Sequence, residues 1–288
     1  MKQIVKYLFF FYTLLLFAAC NKHKEKVEYA FFTAGHVYGN PNDYQYGFHP
    51  PLDSAISYLN NYPQMALGIF TGDVVPQPTQ AYWDSLTLDL NRIKVPRYIT
   101  PGNHDRGPIF KNRFGNGYDS FYHHNELFIL LNPDNWNIEG EQLRFLKQTL
   151  SENKDSSNLI FIFMHELIWW SPENRYSDVI INWAPHYPGS TNYYDDIEPL
   201  LKSLPNQVVL FAGDVGCAAD RTPCMYDRSD NITLIASGMG SGDRDNLVIT
   251  EVMEDGSCRF RLIHLNGNER NGMGQLEDYQ VPLNKNGS

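Results

Sequence analysis

Gly102-Asn103-His104-Asp105 follows a short hydrophobic run, Tyr98-Ile99-Thr100-Pro101, that reads as the end of a strand. Asn103 offers a neutral oxygen ligand to a hard or borderline divalent cation. His104, directly after it, can face a reacting group while Asn103 faces the metal. Four more donors stand in comparable places. Residues 66–71 are an apolar run that leads into Gly72-Asp73, and residues 159–164 are an apolar run that ends in His165. Residues 208–212 lead into Gly213-Asp214, and residues 29–33 into Ala34-Gly35-His36. Each donor therefore falls at the carboxyl end of a buried-strand pattern, where open α/β sheets place their ligands.

The order Gly-Asp, Gly-Asn-His-Asp and an isolated His, each after a strand, resembles the motif series of the calcineurin-like metallophosphoesterases. In that resemblance Asp73 bridges two metals, Asn103 and His165 are ligands, and His104 is the catalytic histidine. The chain departs from the pattern at both ends. The family opens with Asp-x-His, and here Ala34 stands for the Asp, with His36 kept. The family closes with Gly-His-x-His, and here Asp214 and Gly216 stand for the two histidines. One metal site, Asp73, Asn103, His165 and Asp214, is then complete with a carboxylate in place of an imidazole. The other keeps only His36 and Asp73. The alternative is that the loops have shifted and His36 and Asp214 share a re-registered pair of sites. The implied cofactor is one or two divalent ions, and an oxygen-rich set of this kind suits Mn, Fe or Mg, with Zn as a further choice. The chemistry implied is in-line attack on phosphorus, with His104 giving a proton to the leaving group. Arg106 is a candidate cationic substitute for a lost metal, because its guanidinium can hold phosphate.

The N-terminus tells of export. Lys2 and Lys6 precede an apolar stretch of residues 7–19, which is too short to span a bilayer and has the length of a signal-peptide core. Phe17-Ala18-Ala19-Cys20 resembles a bacterial lipobox, which implies cleavage before Cys20 and its lipidation. The expected organisation is a signal peptide over 1–19, a lipidated Cys and tether over 20–26, and one metallophosphoesterase-like domain over 27–288. The expected location is that of an exported lipoprotein, membrane-anchored in the cell envelope.

Composition narrows the partners. Lys and Arg number 23 against 33 Asp and Glu, a formal charge of −10. That argues against a nucleic-acid polymer, whose phosphates call for Lys and Arg. Beyond Cys20 the cysteines are Cys217, Cys224 and Cys258. A disulfide between Cys217 and Cys224 would brace the loop after Asp214 in an oxidising compartment. Two long loops, 37–51 and 166–196, are rich in aromatics. Tyr38, His49, Trp169, Trp170, Trp183 and His186 are the candidate substrate contacts, by stacking or by hydrogen bonds. The competing reading is that such side chains pin the loops to the core.

Strand patterns cover 27–33, 66–71, 97–100, 126–131, 159–164, 208–212, 232–236, 246–252 and 258–265. Helical periodicity fits 52–61, 80–93, 140–150 and 197–201. Strands alternate with helices and then run together, which fits an α/β/β/α sandwich of two packed mixed sheets flanked by helices. The expected function is metal-dependent hydrolysis of a phosphomonoester or phosphodiester, the substrate being a small phosphorylated molecule, glycan, lipid or nucleotide. The alternative is a relative that has lost hydrolysis and binds a ligand or partner through the same cleft.

Overall fold

The computed structural model describes residues 26–266 and 273–282. The signal peptide, Cys20 and nearly all of the tether lie outside the described residues. Among the described residues, eleven strands form two sheets. The first has the order β11-β10-β1-β2-β3, from Cys258–His264, Asn246–Met253, Val27–Ala34, Met65–Thr71 and Arg97–Thr100. The second has the order β4-β5-β6-β7-β9-β8, from Asp119–His123, Glu126–Leu130, Leu159–Phe163, Gln207–Ala212, Ile232–Ser237 and Cys224–Ser229. β1, β2 and β3 are parallel, as are β5, β6, β7 and β9, and the antiparallel partners lie toward the sheet edges.

The central strands are apolar on both faces because both faces are covered. In β1, Tyr29 and Phe31 point between the sheets, while Ala30, Phe32 and Ala34 point at the helices. The middle layer is aromatic: Phe31 sits edge-on to Phe128, Phe161, Phe163 and Phe211 at centroid distances of 4.9–6.0 Å. On the outside of the first sheet pack α1 (Pro50–Asn61) and α2 (Gln80–Leu90), through Leu52, Ile56, Trp83 and Leu86. On the outside of the second pack α4 (Gly140–Asn153) and α5 (Glu198–Lys202), through Leu146, Leu150 and Leu201. A short helix α3 (Pro108–Phe114) follows the Gly-Asn-His-Asp turn. The layers are those expected, α/β/β/α.

Four elements escape the sequence patterns. β4 and β8 are edge strands in which polar residues interrupt the apolar ones, so neither shows a continuous apolar run. α3 has seven residues, too few for periodicity. The segment 193–197 before α5 is a turn of π-helix, whereas periodicity placed a helix directly over 197–201.

Two sequence-based expectations are corrected here. Cys217 and Cys224 are free thiols. Cys224 opens β8 and packs into the layer between the sheets, while Cys217 sits on the loop after β7 beside Asp214 and Arg221, so the two sulfurs serve different surroundings. Trp169 and Trp170, 0 % and 5 % exposed, belong to the outer core under the second sheet and pin the long loop down instead of meeting a substrate.

An ion cluster ties the first sheet to the α1–β2 corner. Glu251 accepts from the Tyr62 hydroxyl at 2.7 Å and from Arg259 and Arg261 at 2.7 and 2.9 Å. Burial alone would raise its pKa, but these donors outweigh burial and lower it. A lowered carboxylate pKa stabilises the fold above the ordinary glutamate range and loses that contribution as pH falls through the folded value. Urea titrations across pH 3–6 should therefore show stability falling on acidification, and Glu251→Gln should flatten that slope. In the same assay at neutral pH, Phe31→Ala should cost about 3–5 kcal/mol, since it removes the ring at the centre of the middle layer.

Candidate active site

The donors found in the sequence converge at one end of the sandwich, where the carboxyl ends of β1, β2, β3, β6 and β7 meet. The loops there are stitched by backbone bonds: His36 N–H to Gly72 O at 3.1 Å, Tyr38 N–H to Asp73 O at 3.2 Å, and Asp214 N–H to His165 O at 3.0 Å. His36 and Asp73 leave their strands in the left-handed region, at φ 52° and 53°, conformations that non-glycine residues adopt mainly where surroundings enforce them. Gly102 is needed for closeness: a Cβ there would lie 2.1 Å from Asp73 Oδ1.

Asp105 is the brace, a role that no sequence pattern assigns to it. It is fully buried. One carboxylate oxygen accepts from Val74 N–H and Val75 N–H at 2.9 and 3.1 Å, and the other from Gly102 N–H at 2.8 Å. The loop after β2 is thereby fastened to the turn after β3. Burial and neighbouring Asp73 push its pKa up to about 7, against the pull of these backbone donors.

The centre of the cluster is Asp73. Its Oδ1 accepts from His104 N–H at 3.1 Å, and its Oδ2 lies 3.3 Å from His165 Nε2 and 3.5 Å from His36 Nε2. Asp214 Oδ1 is 3.7 Å from the same His165 nitrogen. Each imidazole gives its Nδ1 proton to a backbone carbonyl, His165 to Thr71 at 2.9 Å and His36 to Met239 at 3.3 Å. That leaves Nε2 as the free donor atom, the arrangement in which a second partner orients a metal-binding histidine. His165 Nε2 is buried and faces only the Asp73 and Asp214 carboxylates. Burial pulls His36 down to about 4. For His165 burial acts the same way, but Asp73, Asp214 and Glu166 prevail and push it up to about 10. Burial pushes Asp214 up to about 6. Burial acts likewise on Asp73, yet the three histidines around it hold its carboxyl below the usual range.

This donor set fits a divalent cation. Ligands sharing one ion at about 2.1 Å stand about 3.0–3.4 Å apart, close to the spacings around Asp73 Oδ2. Among the described residues, no three His, Cys, Asp or Glu side chains are yet drawn into a closed metal-binding group. The arrangement is a set of pairs sharing Asp73, with Asn103 exposed at its edge. The two positions that depart from the family pattern have tight surroundings. Ala34 is fully buried, and Gly216, at φ 75°, would place a Cβ 2.9 Å from the Gly238 carbonyl, so a histidine there requires the backbone to move.

His104 gives Nδ1–H to Pro76 O at 2.8 Å, and its Nε2 faces the Tyr38 hydroxyl at 3.5 Å. Tyr38 is 2 % exposed and packs on His36 and His104, so it supports the site instead of stacking on a substrate. His49 is bonded to buried Asp245 at 2.9 Å and is likewise structural. Arg106 bonds Asn132, Pro133 O and Glu166, at 3.2, 2.6 and 2.6 Å. A cavity of about 270 Å³ opens beside the cluster, and Asn103, Arg106, Glu166, Trp183, His186 and Asp214 line it. Of the six candidate substrate contacts, Trp183 and His186 line this cavity and the other four do not. Glu166 was missed although it adjoins His165 in the chain. Asp105→Ala, which strands three buried backbone donors, should destabilise the chain by about 3 kcal/mol or more in urea unfolding.

Comparison with known proteins bears on this arrangement. A relative from Arcobacter nitrofigilis, named probable glycerophosphodiester phosphodiesterase GpdQ, is 29% identical over 130 residues, 40% of this chain and 47% of that protein. A structure from Staphylococcus aureus, provisionally described as a 5'-nucleotidase in complex with alpha-ketoglutarate, superposes with a TM-score of 0.42 at 13% identity, over 82% of this chain and 54% of that one. The chain thus spans about half the length of these relatives. The family profile described as calcineurin-like phosphoesterase matches residues 36–217, more than half of the chain, from the His36 turn through the Asp214 loop. The chain belongs to the calcineurin-like phosphoesterase family.

Proposed function

We propose that the protein hydrolyses small phosphoesters with a divalent cation held by Asp73, His165 and Asp214, Asn103 completing the set and His36 adjoining it. The observation that carries this reading is the pair of buried imidazole Nε2 atoms turned toward one carboxylate, with their Nδ1 protons already committed to carbonyls. A divalent cation there supplies polarisation of the phosphoryl oxygen and acidification of water. The chain's own groups do the rest. Asp73 holds the His104 backbone N–H, which fixes the imidazole at the rim of the cluster. With Nδ1–H on Pro76, His104 would act as the imidazolium, whose Nε2–H, beside the Tyr38 hydroxyl, is the proton it could give to the leaving oxygen or share with a phosphoryl oxygen. Arg106, held by Glu166 and Pro133, presents fixed positive charge to an anionic ester. The cavity beside Asn103 and Asp214 has room for an ester arm, which favours diesters, and the name of the Arcobacter relative agrees with that class.

The second reading, a binding protein that has lost hydrolysis, draws on Ala34 and on the conformation of Gly216, which leave the first metal site short of ligands. We further propose that Cys20 is acylated and anchors the chain in the envelope. Replacing Cys20 by Ala should move the protein from membrane to soluble fractions on cell fractionation.

Elemental analysis of the purified chain after Mn²⁺ loading should give about one ion per chain, and Asp214→Ala should remove most of it. Unchanged metal content in that variant would displace the site. Bis(p-nitrophenyl) phosphate should be hydrolysed by the loaded protein, and His104→Ala should lower kcat by about 10²–10⁴-fold. Bound metal without turnover would move the protein to the second reading.

A further inference from the structure

The cavity next to the cluster has a chemistry that phosphate binding leaves unexplained. Glu166 lines it, is 3 % exposed, and uses only one carboxylate oxygen, Oε1, for Arg106, while its Oε2 is buried with no hydrogen-bond partner. A buried carboxylate oxygen without a donor leaves negative charge uncompensated, which a cation beside it offsets. Asp134 lines the same cavity and is exposed. Setting Asp214 aside for the cluster, the lining holds two carboxylates against the one guanidinium of Arg106. A pocket built only for phosphate oxygens would show the opposite balance.

The remaining wall is aromatic. Trp136 and Trp183 both line the cavity. Trp136 lies in a tight turn whose two middle residues, Asn135 and Trp136, sit at φ 47° and 65°. The turn is closed by reciprocal 2.9 Å backbone bonds between Asp134 and Asn137. A bulky residue in the left-handed region persists only where its surroundings enforce it. Here the ring is held against Trp170 and Tyr187, at 6.1 and 5.7 Å between centroids, and the turn sets Asp134 beside it. Trp183, 53 % exposed, is at the open side with His186 against it. Aromatic faces together with carboxylates are the combination that holds an alkylated or protonated amine, by cation–π attraction and charge.

We propose that this cavity is a subsite for a cationic nitrogen, so that the ester arm it accepts ends in a protonated or quaternary amine. Asn103 and Asp214 belong to both the cavity and the cluster, which places the amine a short arm away from the phosphorus. The substrate class rests on the hydrolase reading above, and the binding of the amine does not.

Two measurements separate them. In the first, choline and its neutral isostere 3,3-dimethylbutanol are titrated against the tryptophan fluorescence of the full chain. Choline should saturate and the isostere should bind at least about tenfold more weakly, with Trp183→Ala and Asp134→Asn each reducing the difference. Both substitutions are at exposed positions, so folding is preserved. Equal binding of the two compounds, or none of either, overturns the subsite. In the second, the Mn²⁺-loaded protein is given p-nitrophenyl phosphorylcholine and its 3,3-dimethylbutyl counterpart. The choline ester should show a kcat/KM higher by about tenfold, narrowing in Trp183→Ala. Equal turnover of both esters overturns the subsite and leaves the hydrolase reading standing. No turnover of either, with selective choline binding in the first measurement, overturns the hydrolase reading and supports the subsite.

Discussion

Asp73 is a buried carboxylate on which two sheets' worth of loops depend. Ionising a carboxyl in the protein interior is costly unless charge or hydrogen bonds compensate it. Three histidines from three loops do so here, by two ring nitrogens and one backbone N–H. Because β1 and β2 belong to one sheet and β6 to the other, the contacts of Asp73 span the interface between the sheets at the end where the strands stop. The aromatic layer of Phe31, Phe128, Phe163 and Phe211 fixes the separation of the sheets below that point. Packing thus decides how far His165 stands from Asp73, and electrostatics decides which protons the cluster keeps.

The second constraint is backbone. Asp105 holds three amide groups from two loops, which keeps the turn bearing Asn103 and His104 against the turn bearing Asp73. Gly102 allows the approach, and the left-handed Asp73 turn points its carboxylate back into the cluster. His36 and His165 each use Nδ1 on a carbonyl, so orientation is set by main chain and does not rely on long flexible partners. Fixed donors of this kind lose little entropy on binding a ligand.

Most strands that carry the site were readable because they are buried on both faces and show as unbroken apolar runs ending in a polar residue, whereas β3, an edge strand opening on exposed Arg97, was read with the motif that follows it. β4, β8 and α3 were not, since an edge strand interrupted by polar residues and a seven-residue helix leave no such signature. The aromatic loops divide in a way the chain alone leaves open. Trp169 and Trp170 are apolar anchors beneath a long loop, and Trp183, with the same side chain, faces the cavity. Residue type is equal in the two cases and only the path of the loop separates them. The Cys217–Cys224 spacing suits a disulfide, but the start of β8 turns one sulfur into the core.

The amino-acid sequence by itself determined the layered fold, the order of the donors and their positions at strand ends, because hydrophobic periodicity and short motifs are local properties. It also determined that two ligands of the usual series are absent, since Ala and Gly have no donor atom. Tertiary structure alone decided that His36 and His165 both close on one oxygen of Asp73, that Asp105 braces the two loops, and that Glu166, Asp134, Trp136 and Trp183 meet around one cavity. Those relations join residues dozens of positions apart. Each depends on the packing of two sheets, which no local pattern in the chain records.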